Sequence, residues 1–133
     1  MSKPTLTKTM INPYVIVVNV DQTIDFYKRA FGFELLETMT GKDGATCHAE
    51  MRFNDELIMF GQEGSCELTL HSPKSTGNVC PITLCLTVKD VDAFYQHALQ
   101  EGAVSMTAPE LAPWGMRMCR IQDPDHYIWC VVA

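Results

Sequence analysis

Apolar residues alternate between two spacings along this chain, and the alternation is written twice. Residues 14–18 (Tyr-Val-Ile-Val-Val) form an unbroken β-rich run, after which Ile24, Tyr27 and Phe31 fall at i, i+3 and i+7. That spacing predicts a strand followed by an amphipathic helix beginning near Gln22, with Asn19 or Asp21 as its cap and Gly32 as its left-handed stop. Three extended segments follow, residues 34–39, 47–53 and 57–61, separated by turn-formers at 41–44 and at Asn54-Asp55.

About seventy residues later the pattern returns: an apolar run at 82–88, Asp90 as a cap, Val91, Phe94 and Ala98 on one helical face, and a stop at Gly102. Extended segments at 103–107, 116–121 and 127–132 complete it, the last two joined by Asp123-Pro124-Asp125-His126. The order βαβββ therefore occurs twice, about 11–61 and 82–133, in a single 1–133 domain. Residues 62–81, rich in Gly, Ser, Pro, Lys and Asn, read as the linker, with only 66–70 expected to be ordered. The fold class is α+β: two βαβββ modules whose strands curl into half-barrel sheets with the helices outside and a concave ligand-binding face within. A ferredoxin-like βαββαβ sandwich has four strands and leaves the extra hairpins unplaced.

At 133 residues, 47% hydrophobic and 20% charged, the composition is that of an ordinary globular domain, and no apolar run reaches the roughly 20 residues a membrane-spanning helix needs. The first nine residues lack the apolar core of a secretory signal, so a cytoplasmic location is expected. A net charge of −6 with ten scattered basic residues argues against nucleic acid. Six cysteines without C-x-x-C spacing read as buried, reduced thiols.

The paired units, the helix segment Ile24-Asp25-Phe26-Tyr27 ending in Phe31-Gly32-Phe33, and the late Asp123-Pro124-Asp125 resemble the vicinal oxygen chelate superfamily of glyoxalases, bleomycin resistance proteins and dioxygenases. Asn12-Pro13-Tyr14, His48-Ala49-Glu50-Met51-Arg52 and Trp114-Gly115 are most similar to its PhnB-like, glyoxalase-like branch. The resemblance implies a concave small-molecule site, homodimers, and, in metal-using members, a divalent ion held by His and Glu from the first and last strands of each unit. The matching positions here are Asn12, Met59, Thr83 and Cys130. An amide, a thioether, a hydroxyl and a thiol form no coherent set for a hard or borderline ion, so no metal or other cofactor is expected. His48 and Glu50, two apart on one strand face, are the best remaining ligand pair. The chain also departs from the family's usual Asp-Pro-Asp-Gly by carrying His126 at a turn that favours positive φ.

No nucleophile with an evident base and no phosphate-binding loop stands out, so the catalytic residues stay unassigned. Strand alternation carries Tyr14 with Asn12 and Cys85 with Thr83 onto the inner faces, beside Met59 and Cys130. Trp114 and Arg117, after the proline-rich stretch 108–113, complete the expected lining: Trp114 to stack on a planar ligand, Arg117 to meet an anionic group. The expected function is binding of a small, partly apolar organic ligand without a conventional divalent metal. The competing expectation is a metal-dependent enzyme of the glyoxalase or dioxygenase type with atypical ligands.

Overall fold

Asn19 decides where the first helix begins. In the computed structural model, which describes residues 9–65 and 69–133, its Oδ1 accepts from the Gln22 amide at 2.9 Å, so Asn19 and not Asp21 is the cap. The chain divides into two compact units, the first ending at Ser72 and the second starting at Pro73, inside the expected linker.

The first unit runs β1 (Tyr14–Val17), α1 (Val20–Phe26), a π-helical turn (Tyr27–Phe31), then β2 (Glu34–Thr40), β3 (Thr46–Phe53) and β4 (Glu56–Gln62). Its sheet has the order β1-β4-β3-β2, with β1 parallel to β4 and the other pairs antiparallel. The π-helical turn was not legible in the spacing of apolar residues. It carries Tyr27 into the centre of an aromatic cluster, edge-on to Phe26 and Phe31 and stacked on Phe33 and Phe60 with centroids 4.9–5.2 Å apart. Gly32, at φ +74°, ends the turn as expected, because a left-handed residue costs glycine no Cβ clash. Val15, Val17, Ala49, Met51, Ile58 and Phe60 are buried with this cluster.

The second unit begins with a short helix, α2 (Pro73–Thr76), where only linker was expected. It continues β5 (Leu84–Thr87), α3 (Val91–Gln100), β6 (Val104–Leu111), β7 (Arg117–Gln122) and β8 (Ile128–Val132), in sheet order β5-β8-β7-β6. Asp90 caps α3 as predicted, accepting from the Ala93 amide at 3.1 Å. Two boundaries differ from expectation. β5 starts at Leu84, leaving Thr83 just outside it, and β6 runs on through Pro109, where the register with β7 shifts between Thr107 and Glu110. A proline without an amide hydrogen fits a strand at such an irregularity. Of the stretch expected to be ordered inside the linker, residues 66–68 lie outside the described residues, and Thr69 and Leu70 have no regular structure. No described helix is long and apolar enough to cross a membrane.

The Asp-Pro-Asp-His turn takes a left-handed backbone of the kind that favours glycine. His126 sits at φ +71°, held by buried Asp123, whose Oδ1 accepts from the Asp125 and Tyr127 amides at 3.0 and 2.8 Å. His126→Gly relieves a left-handed strain of about 1–2 kcal/mol at a chain-entropy cost of about 0.5–1 kcal/mol. Urea denaturation of that variant is expected to show a net gain of about 0.5–1 kcal/mol.

Candidate functional site

Strand register arranges the first sheet's helix-free face into two rows. One row crosses all four strands as Tyr14, Met59, Glu50 and Glu37; the next runs Ile16, Gly61, His48 and Met39. Directly paired residues share a face, so α1 packs on the opposite side, over β3 and β4, and these eight positions look away from it. Asn12, two residues before Tyr14, donates from Nδ2 to the Leu57 carbonyl at 3.3 Å.

Tyr14 reaches diagonally from β1 across β4 to β3. Its hydroxyl lies 3.2 Å from His48 Nδ1, and the two rings are tilted with centroids 5.5 Å apart. The path passes directly over Gly61: a Cβ there would lie 2.5 Å from Tyr14 Cε1 and 2.7 Å from its hydroxyl oxygen. The other nitrogen of His48, Nε2, faces Glu50 Oε2 at 3.5 Å, and the Glu50 side chain is 1% exposed. The 3.5 Å separation is an electrostatic contact and not a hydrogen bond. Glu37, paired with Glu50 across the strands, adds a second carboxyl, one oxygen of which is buried with no hydrogen-bond partner among the described residues. Tyr14 itself is about half exposed. A groove of about 900 Å³, lined by Asn19, Met39, Thr40, Lys42, Cys47 and Gln62, borders the same rows at the β2–β3 turn.

The second sheet repeats the geometry with different chemistry. Its corresponding rows are Cys85, Cys130, Arg120, Thr107 and Thr87, Val132, Met118, Glu110. Where the first module has tyrosine and buried glutamate, the second has a thiol and an arginine; where the first has glycine and histidine, the second has valine and methionine. Cys130 packs against Ala112, Met118 and Val132. Partial burial and the neighbouring Cys130 thiol push the Cys85 thiol up. On the opposite face, burial pushes the Cys119 thiol up to about 11. Iodoacetamide at mildly alkaline pH is therefore expected to modify exposed Cys85 in the folded protein and to leave Cys119 untouched until the sheet unfolds, as peptide mapping before and after denaturation will show.

The expected lining residues divide between these places. Asn12, Tyr14 and Met59 come together on the first sheet, and Cys85 and Cys130 on the second, where Thr83 precedes β5 on the same alternation. Trp114 is exposed in the β6–β7 turn. Arg117 is committed elsewhere: its guanidinium makes a bidentate pair with Asp92 of α3 at 2.5 and 2.7 Å, on the helix-covered face. That pair holds the Asp92 carboxyl below the usual carboxylate range. Gly61, Glu37 and Arg120 were not singled out in the sequence, although a glycine inside a strand signals a close approach of another group.

Asn12 and Met59 on one module, and Thr83 and Cys130 on the other, occupy the places implied for metal ligands. Their amide, thioether, hydroxyl and thiol donors do not fit a hard divalent ion. Among the described residues no three His, Cys, Asp or Glu side chains converge in a way that would hold a metal.

Comparison with known proteins places this architecture. The family described as the glyoxalase/bleomycin resistance protein/dioxygenase superfamily matches residues 9–131. An uncharacterised protein of Mycobacterium bovis is 36% identical over 121 residues, covering 90% of this chain and 79% of that one. One from Mycobacterium tuberculosis has the same identity and covers 71% of its own length. Among solved structures, TioX from Micromonospora sp. ML1 superposes with a TM-score of 0.75 at 22% identity, covering 94% of this chain and 98% of that chain. Glyoxalase I from Zea mays gives 0.74 at 19% identity over 92% of this chain, which spans only 43% of the maize protein. Two βαβββ units, each with a four-stranded mixed sheet, and a family match over nearly the whole length make this chain a member of the glyoxalase/bleomycin resistance protein/dioxygenase superfamily.

Proposed function

We propose that this protein binds a small, partly apolar organic ligand on the helix-free face of its first sheet, without a conventional divalent metal. The observation that carries the reading is the make-up of the two rows. Ile16, Met39 and Met59 supply apolar and deformable surface, and Tyr14, Asn12 and His48 supply a few fixed polar points. Cys85, Cys130, Thr83 and Trp114 offer a softer and more apolar surface on the second module. Arg117, paired with Asp92 on the helix-covered face, lies away from these rows. Asn12-Pro13-Tyr14 and the His48-to-Arg52 segment support placement in the PhnB-like branch, and a cytoplasmic homodimer is the expected form.

A second reading, a metal-dependent enzyme with atypical ligands, is favoured by one observation, the proximity of His48 to Glu50 at 3.5 Å. Native mass spectrometry with elemental analysis of protein purified without chelator separates the two. The first reading expects a dimer retaining a discrete organic molecule and substoichiometric metal. Near-stoichiometric Ni, Zn, Fe or Mn, removed together with ligand binding, establishes the second.

A further inference from the structure

We propose that Tyr14, His48 and Glu50 form a proton relay in which Tyr14 is the base that meets a ligand's acidic O–H, of the phenol or enol class; the proposal rests on ligand binding at the first sheet. Three observations set the direction of the relay. Glu50 is buried and its Oε2 lies 3.5 Å from His48 Nε2, beyond hydrogen-bond geometry but close enough for the carboxyl oxygen to favour the tautomer carrying hydrogen on Nε2. That tautomer leaves Nδ1 as an acceptor, and the Tyr14 hydroxyl lies at hydrogen-bond distance from it, 3.2 Å away. With its hydrogen turned to Nδ1, the phenol oxygen keeps acceptor capacity for a ligand O–H.

A ligand O–H placed against that oxygen has a balanced route for its proton. The ligand O–H bond breaks, and its electron pair stays on the ligand oxygen while its proton bonds to the Tyr14 oxygen. The Tyr14 O–H bond breaks in turn, and that proton bonds to His48 Nδ1. The imidazolium so formed faces the Glu50 carboxylate. No oxidant, reductant or cofactor takes part, and reversal returns the proton to the same or another ligand atom.

The surrounding charges are accounted for on each strand. From β2, Glu37 sits opposite Glu50. From β3, Arg52 is engaged by Glu34 at 2.8 Å. The row positions of β4, Met59 and Gly61, carry no titratable group. The second module, with Cys85, Met118 and Arg120 at the matching positions, has no equivalent relay, so the function belongs to one module only.

The relay is tested in the whole protein at two points. In the ligand-free protein, nitrogen NMR of His48 is expected to show hydrogen on Nε2 and none on Nδ1; hydrogen on Nδ1 overturns the relay whatever the ligand does. With 4-nitrophenol as the probe, absorbance of the bound species is expected to be that of the phenolate, with an apparent pKa about one pH unit or more below that of the free probe. His48→Gln keeps an acceptor for Tyr14 but cannot take up a proton, and Tyr14→Phe removes the first oxygen. Both are expected to return the bound probe to its neutral form. A probe retained by the native protein as the neutral phenol, or one ionised equally in native and His48→Gln proteins, overturns the relay and leaves ligand binding standing. A probe not retained even at millimolar concentration removes both.

Discussion

Gly61→Ala is expected to leave the first sheet folded while displacing Tyr14 from His48. The added Cβ would lie 2.5–2.9 Å from three atoms of the Tyr14 ring and hydroxyl, closer than carbon atoms pack, and the residue that gives way is the half-exposed tyrosine. The backbone of β4 is fixed by pairing on both sides, to β1 and to β3, so it does not move instead. Thermal unfolding is expected to shift only by the few degrees that about 1 kcal/mol represents in a domain of this size, since alanine also lowers the entropy of the unfolded chain. Binding of 4-nitrophenol is expected to weaken about tenfold or more, the scale of one lost hydrogen bond to a charged group. A variant that binds as tightly as the native protein, with the Tyr14–His48 contact intact by NMR, would show that the glycine does not set the site.

The largest effect on stability is expected from Phe60→Ala. Phe60 is fully buried and stacks on Tyr27 with centroids 5.0 Å apart, and Tyr27 in turn touches Phe26, Phe31 and Phe33. Removing the ring deletes its transfer energy and leaves a void that the β4 backbone, hydrogen-bonded on both edges, collapses into poorly. The cost is about 3–5 kcal/mol by the behaviour of phenylalanine truncations, against a total stability of about 5–15 kcal/mol for ordinary domains. Urea titration measures it as a lowered midpoint at unchanged slope; a loss under about 1 kcal/mol would show that the aromatic cluster is not the core of the first unit.

Much of this organisation was legible in the sequence because it rests on local signals. The period of Ile24, Tyr27 and Phe31, the caps at Asn19 and Asp90, and the stop at Gly32 each act within a turn or two of chain, and each is where the spacing places it. Boundaries that depend on tertiary pairing were less legible. β6 continues through Pro109 because β7 tolerates a register shift there, which no local propensity announces. The π-helical turn depends on how five aromatic rings pack, and the short helix at Pro73–Thr76 is hidden in a composition that reads as linker.

The candidate site was legible in its members but not in its connection. Tyr14 was placed on the inner face by alternation, and His48 and Glu50 by their two-residue spacing. That Tyr14 meets His48 follows only from the register in which β4 lies between them and presents Gly61 at the crossing. Arg117 shows the opposite failure. Strand parity places it with Cys119 and Ile121 on the helix side, and counting from the proline-rich stretch alone did not fix that parity.

On the proposed reading, one scaffold is repeated while the ligand chemistry is concentrated on the first module and runs without a conventional metal. Amide and side-chain chemical-shift mapping with 4-nitrophenol, on protein dialysed against chelator, tests it most directly. Saturable shifts are expected at Tyr14, His48, Met59 and Gly61, unchanged by chelator and absent from Cys85 and Cys130. Loss of those shifts after chelation and their recovery on adding a divalent ion would contradict it.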